Sequence, residues 1–431
     1  MAISGRTVAL ALLGVAVVVL SPMPGLTLVL VNVTLVVLVG VDVALAGAVR
    51  PLMFSRSGPT SARLGQPVPL VLAVGNGGGR MVRARLRDAW PPSAGARPRV
   101  HQVRIPPGER RFLETTLEPT RRGDRAPFRI TVRSLGPLGL AGRQGRHYCP
   151  WRVRVLPPFS SRQHLPAALA RLREVEGEVA IRGAGAGSEF DSLREYVIGD
   201  DVRLIDWRGT ARRGAVVVRA FRPERDRRVV CVLDTGRTSA GRVGDVPRLD
   251  HALDAALLLT AVALRAGDRV SLVAHDSVPR LRLPGSHDHG FLARVSDAMA
   301  GLEPAIVEAD HGGMVAAVLR EASRRSLVVL FTELAPAVIE EGLLPVLTTL
   351  TARHNVVIAA LRDPRVDDLA TGRDDVRAVY ASAAAEQTLQ RRRDLTETLR
   401  RRGVEVVDAP PDGYAVAVTD TYLTLKSLGR L

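Results

Sequence analysis

Lysine is almost missing from this chain. It occurs once, at Lys426, so all but one of the 60 basic residues are arginine. Against 44 acidic residues this leaves a net charge of +16, an excess that suits anionic lipid headgroups or nucleic acid. Aromatic residues make up only 4% and no stripe interleaves them with basic side chains, which argues against a base-stacking nucleic-acid surface. Cysteine is confined to Cys149 and Cys231, which lack metal-ligand spacing. Two lone thiols suit a reducing compartment, and Cys231 reads as a core residue of an apolar strand. No G-x-x-x-x-G-K-[ST] run is present, so any use of ATP would belong to a partner.

Apolar side chains, by contrast, dominate residues 1–50. Residues 7–20 form one apolar run, "SPMPG" at 21–25 breaks it, and a second run covers 26–49, interrupted by Asn32 and Asp42. The pattern predicts two transmembrane helices joined by a tight turn. The first is short for a span of about 20 residues, unless it extends over 3–21 with Arg6 snorkelling. A cleaved signal peptide is the rival reading, weakened by the second run that follows at once. Arg6 before the first run and Arg50, Arg56 and Arg63 after the second place both ends on the cytoplasmic side of the cell membrane. Asp42, near the inner end of the second helix, reads as structural.

Between 60 and 157 short alternating runs such as "VPLVLAV", "RRFLETTL" and "FRITVRS" are separated by Gly, Pro and Asn clusters, the pattern of an antiparallel β-sandwich-like domain. It reads as a spacer over the membrane. From 227 to 431 near-continuous apolar strands alternate with helical stretches, which predicts a doubly wound α/β domain covered on both faces. The fold class is therefore α/β, with two transmembrane helices and a β-sandwich-like domain before it.

In an open α/β sheet, ligands sit beyond the carboxyl ends of the strands, here Asp234, Asp276 and Glu333. Asp234 and Thr238 of "DTGRT", with Glu333 of "VVLFTEL", offer oxygen donors that suit Mg²⁺. Capping of the following turn by Asp234 is the plainer alternative. The motif resembles the Asp-x-Ser-x-Ser metal-dependent adhesion site of von Willebrand factor A domains, in degenerate form. Gly236 replaces the first serine, Thr238 can replace the second, Glu333 stands where those domains place an aspartate, and Arg237 brings a positive charge nearby.

The segment 187–226 carries "LREYVIGDDVRLIDWRGTARRG", which resembles the bacterial domain-of-unknown-function 58 family. Arg194, Glu195, Tyr196, Gly199, Asp200, Arg203, Asp206, Trp207, Ala211 and Arg212 fall at its signature spacing. "TRRGDRAPFRITVRSLGPLGL" and the two initial helices resemble that family's layout as well. Glu195, Asp200, Asp201 and Asp206 with Arg194, Arg203 and Arg208 are enough for a network of bidentate pairs, with Gly199 allowing a tight turn and Trp207 as apolar anchor. Such a network is either a clasp against the α/β domain or a docking surface for an acidic partner. No histidine or cysteine nucleophile lies there, and "HDH" at 287–289 reads as a solvated loop. The resemblance implies a non-enzymatic, membrane-anchored interaction protein acting with a MoxR-type AAA+ ATPase in assembling protein or envelope complexes. The alternatives are a metal-dependent hydrolase with Asp234, Thr238 and Glu333 at the metal, and a membrane-tethered nucleic-acid binder.

Overall fold

A computed structural model describes residues 2–182, 189–198, 200–222, 227–288 and 290–431. Gly199 and His289, as well as Gly187 and Ser188 at the start of the signature segment, lie outside the described residues. The chain divides into two units, Met1–Leu156 and Pro157–Leu431.

In the first unit, helix α1 (Gly5–Val19) and helix α2 (Pro24–Leu45) form a hairpin in which Gly14 leaves room for Val31. At about 1.5 Å per residue α2 reaches roughly 33 Å, enough to cross the hydrocarbon core, whereas α1 reaches only about 22 Å. Among the described residues α2 is the one helix long and apolar enough to cross a membrane. Its exposed Val29, Leu30, Val33, Val36 and Val37 leave no polar face for water. The first run thus falls short of the expected second span, because its start is spent elsewhere. Ala2–Ile3 is a strand paired with Ala141 and Gly142, and the α1 N-cap Ser4 donates to the Gly139 carbonyl at 2.6 Å.

Asp42 is the main link between α2 and the β-rich part. Its carboxylate is fully buried and accepts backbone N–H groups of Leu138 at 2.8 Å, Leu140 at 2.7 Å and Ala141 at 2.8 Å. Thr7 donates to the Leu140 carbonyl, while Arg80 and Arg143 reach the last carbonyls of α2, at Ala44 and Val43. The start of α1 and the end of α2 are therefore fastened to one loop.

The rest of this unit is a sandwich. A five-stranded sheet includes Val82–Ala89, Val100–Ile105, Arg129–Leu135 and Ala141–His147, and a three-stranded sheet holds Leu52–Ser57, Val68–Asn76 and Arg110–Leu117. Leu72 and Val74 meet Leu86, Ile105 and Val132 between them. Arg56, read from sequence as a membrane flank, is buried instead in a bidentate pair with Asp88 at 2.8 and 3.0 Å, and Asp88 also accepts from Trp90 Nε1.

The second unit is built on six strands in the spatial order Pro279–Ser286, Arg269–His275, Arg228–Asp234, Leu327–Phe331, Asn355–Leu361 and Val404–Ala409. All are parallel except the first, an antiparallel edge strand that the sequence pattern did not reveal. Alternate residues feed opposite cores. Val229, Cys231 and Leu233 pack against helices Arg248–Arg265 and Pro411–Ser427; Val230 and Val232 pack with Met314, Leu347 and Leu395 on the other face. Cys231 is a core residue as expected, and burial pushes its thiol up to about 12. The unit begins well before residue 227, since Leu165–Arg182 is a helix whose Ala168 and Leu172 join the core and Ser161 bonds Asp254. Lys426 is buried too, at 2.8 and 2.9 Å from the two Asp268 oxygens, and Tyr422 donates to Asp268 at 2.6 Å.

Candidate functional site

The strand order reverses between Arg228–Asp234 and Leu327–Phe331, and such a switch point is where open α/β sheets bind ligands. Asp234 and Glu333 flank it but face different partners. Asp234 is buried and accepts from Gly236 N at 2.8 Å through one oxygen and from Thr332 Oγ1 at 2.7 Å through the other. Burial pushes its pKa up, against these two hydrogen bonds. Its carboxylate thus closes the turn and ties the two strand tips together, the latter through a threonine that sequence reading passed over. Glu333 receives Arg392 Nη1 at 2.8 Å on one oxygen and lies against Arg248 on the other. Arg392 in turn holds Asp408 at 2.7 Å, and Arg248 donates to the Leu361 carbonyl at 2.6 Å. Thr238 lines a small recess with Ser239, Arg248, Thr332, Glu333 and Tyr414. The structure therefore brings Thr238 and Glu333 to one recess, with a guanidinium group as Glu333's nearest charge.

The signature segment is a hairpin of its own. Glu189–Glu195 pairs antiparallel with Val217–Arg222, and Tyr196 N donates to Val216 O at 2.9 Å. Arg194 and Asp200 form a bidentate pair at 2.8 and 2.6 Å, and Asp200 also accepts from Val197 N, closing the turn. The Arg194 guanidinium holds the Asp200 carboxyl below its ordinary value. Of the expected network this is the only bidentate pair among the described residues. Asp201 is spent on capping Val202–Leu204 and Asp206 on capping the helix Trp207–Arg213, where it accepts from Gly209 N at 2.8 Å. Asp206 takes its ion partner from the opposite strand, Arg219 at 2.9 Å. A Cβ at Gly209 would press on the Val217 and Leu193 side chains at 2.9 and 3.0 Å, so the glycine lets the short helix sit close to both strands.

Trp207 does not anchor this network. It opens the short helix and is 70% exposed, and Val197 at 62%, Val202 at 63% and Ile198 at 97% of the same hairpin are exposed too. Arg203, Arg208 and Arg212 are exposed as well, and among the described residues none of them forms an ion pair within the hairpin. Glu195 sits at the end of the first strand, opposite Val217. Among the described residues, the hairpin's ion pairs and side-chain hydrogen bonds close within it.

A family model described as a protein of unknown function, DUF58, matches residues 192–407, from within this hairpin to the last sheet strand. The chain belongs to this family. Uncharacterized proteins of Mycobacterium tuberculosis and Mycobacterium bovis are 28% identical over 185 residues, 42% of this chain and 57% of theirs, so the match spans little more than half of those relatives. Similar solved structures include BatB of Bacteroides thetaiotaomicron, at 12% identity over 46% of this chain and 98% of that one, with a TM-score of 0.30. The von Willebrand factor domain of the pilus tip protein Mfa5 of Porphyromonas gingivalis is 10% identical over 48% and 96%, also at 0.30. An aerotolerance-related membrane protein of Bacteroides fragilis is 12% identical over 47% and 99%, at 0.27.

The residues at the sheet tips do not fit a hard divalent cation as they stand. Gly236 has no hydroxyl, both Asp234 oxygens accept protein donors, and Glu333 is neutralised by two arginines. Among the described residues no group of three or more His, Cys, Asp or Glu is arranged to hold a metal. A Mg²⁺ site held at 100 times its Kd would add about 2.7 kcal/mol, or roughly 5 °C or more in Tm. The expected result is a shift under about 1 °C between Mg²⁺ and EDTA in differential scanning calorimetry of the detergent-solubilised chain, and a shift of several degrees would restore the metal.

Proposed function

We propose that this protein is a membrane-anchored, non-catalytic interaction protein whose signature hairpin docks a partner. What supports this reading is the exposure of Trp207 and Ile198 beside uncommitted arginines. A large indole left in water is costly unless something covers it, and Trp and Arg are the side chains that most often carry binding energy at interfaces. The hairpin's internal bonds stabilise its own turn and helix, which favours the docking role over the clasp. The partner class is the one the family resemblance implies, a MoxR-type AAA+ ATPase, met on the cytoplasmic side of the membrane and acting on protein or envelope complexes.

The test is capture of such an ATPase from solubilised membranes by the full chain. Trp207→Ala and Arg203→Glu are each expected to abolish capture while moving stability by no more than about 0.5 kcal/mol, because both side chains are exposed. Retained capture by both variants would refute the docking surface; a large fall in stability with Arg203→Glu would restore the clasp.

A further inference from the structure

On the first unit, the solvent face of the five-stranded sheet is an arginine ladder. Burial alternates along Val82–Ala89, so Ala84 and Leu86 enter the core while Arg83, Arg85 and Arg87 face out. Arg104 stands directly opposite Arg83, and Arg133 directly opposite Arg85. One row further, Arg87 and Arg146 flank Thr131, and Arg129 follows at the end of its strand. The other positions of this face, among them Val100, Gln102, Thr131, Leu135 and Gln144, include no acid. Arg85, Arg87, Arg129, Arg133 and Arg146 share one shallow recess. Arg133 Nε donates to Gln144 at 2.8 Å, a neutral partner that leaves its charge uncompensated.

Like charges placed directly opposite on neighbouring strands destabilise a sheet. A fold that keeps two such pairs in one face tolerates a cost that a bound anion would remove. Three sources of anion are open, and the geometry separates them. The sheet leaves the membrane end of α2, where Arg80 and Arg143 bond its last carbonyls. Measured along the strands at about 3.4 Å per residue, the recess runs from Gln144, roughly 10 Å beyond Ala141, to Arg146 at roughly 17 Å, against a headgroup layer about 5–8 Å deep. A headgroup would meet the row of Arg83 and Arg104 first and leave the upper rows to a longer ligand. Nucleic acid in single strands would call for aromatic platforms between the arginine rows, and no strand position of this face supplies one; the exposed Phe128 and Tyr148 lie past its far end. Successive arginine rows are two residues apart, about 6.8 Å, which equals the spacing of alternate side chains on an extended chain.

We propose that this face binds an extended acidic segment of a partner protein, laid along the strands, with carboxylates at alternate positions seated on successive arginine rows. Guanidinium forks and carboxylates make the short, charge-assisted pairs that such a ladder is shaped to offer.

The test uses the full chain in neutral detergent and a fluorescent 12-residue peptide of alternating Glu and Ser, followed by anisotropy. Binding is expected at low salt and is lost as salt rises above the screening range of a surface pair. The double variant Arg85→Gln/Arg133→Gln is expected to weaken binding roughly tenfold or more. Its Tm is expected to rise by about 1 °C or more as the opposed charges are relieved. Affinity and stability moving in opposite directions is a result that a merely structural role would not produce. The charge-matched control Arg400→Gln/Arg402→Gln is expected to leave peptide binding unchanged. The proposal is overturned by no binding, by equal loss in the control, or by tighter retention of a single-stranded oligonucleotide or of anionic-lipid nanodiscs than of the peptide through these same arginines.

Discussion

Alanine at position 42 is expected to loosen the β-sandwich from α2 and to destabilise the first unit by about 3–5 kcal/mol. The Asp42 carboxylate accepts three backbone N–H groups, those of Leu138, Leu140 and Ala141, and is fully buried. Removing it orphans three donors at once, each of which costs about 1–3 kcal/mol when water cannot reach it. Asparagine is the graded control, since its single oxygen can still serve Leu140 and Ala141 while its amide nitrogen would confront the Leu138 N–H. Hydrogen exchange is the measurement: the Leu138, Leu140 and Ala141 amides should exchange far faster in Asp42→Ala and moderately faster in Asp42→Asn. Unchanged protection in the alanine variant would mean that the contact does not hold the loop. Gly136 belongs to the same joint, because a Cβ there would overlap Asp42.

Lys426→Met should be nearly as damaging to the second unit. Burial drives the pKa of Lys426 down, and the facing Asp268 opposes that shift. With the ammonium gone, Asp268 keeps the Tyr422 hydroxyl as its one side-chain donor among the described residues, and an uncompensated buried carboxylate costs about 3–5 kcal/mol. The double variant Asp268→Asn/Lys426→Met removes the stranded charge and should recover most of the loss. Thermal unfolding of the four proteins closes the cycle. A single variant within 1 kcal/mol of the parent would show that the pair is dispensable.

The strands of the second unit were readable because each is a near-continuous apolar run covered on both faces. The edge strand Pro279–Ser286 was not, since "PRLRLPGS" packs one side only and carries two prolines. In the signature hairpin, counting charges over fifteen positions predicts pairs, but Asp201 and Asp206 each precede a short helix and are consumed as caps. Arg219, the partner of Asp206, is brought to it by strand register, which linear spacing does not encode. Trp207 was misread for a similar reason: size and apolarity suggest burial, yet the short helix turns it outward. At the sheet tips, Asp234 is the last residue of its strand and Glu333 follows the end of its own, while the arginines that occupy Glu333 lie 85 and 59 residues away in sequence. Asp42 was rightly read as structural, although its partners are nearly a hundred positions distant.

The burial of Lys426 reaches beyond folding energetics. With the chain's one lysine shut inside the second unit, no side-chain amine meets solvent. Amine-selective reagents, amine crosslinkers and any cellular tag joined by an isopeptide bond to lysine can reach Lys426 only after the end of the helix Pro411–Ser427 has opened from its neighbours. Amine reactivity at that site is therefore a clock for the opening of this unit, and while the unit stays folded its one lysine is closed to processes that mark their targets through that side chain.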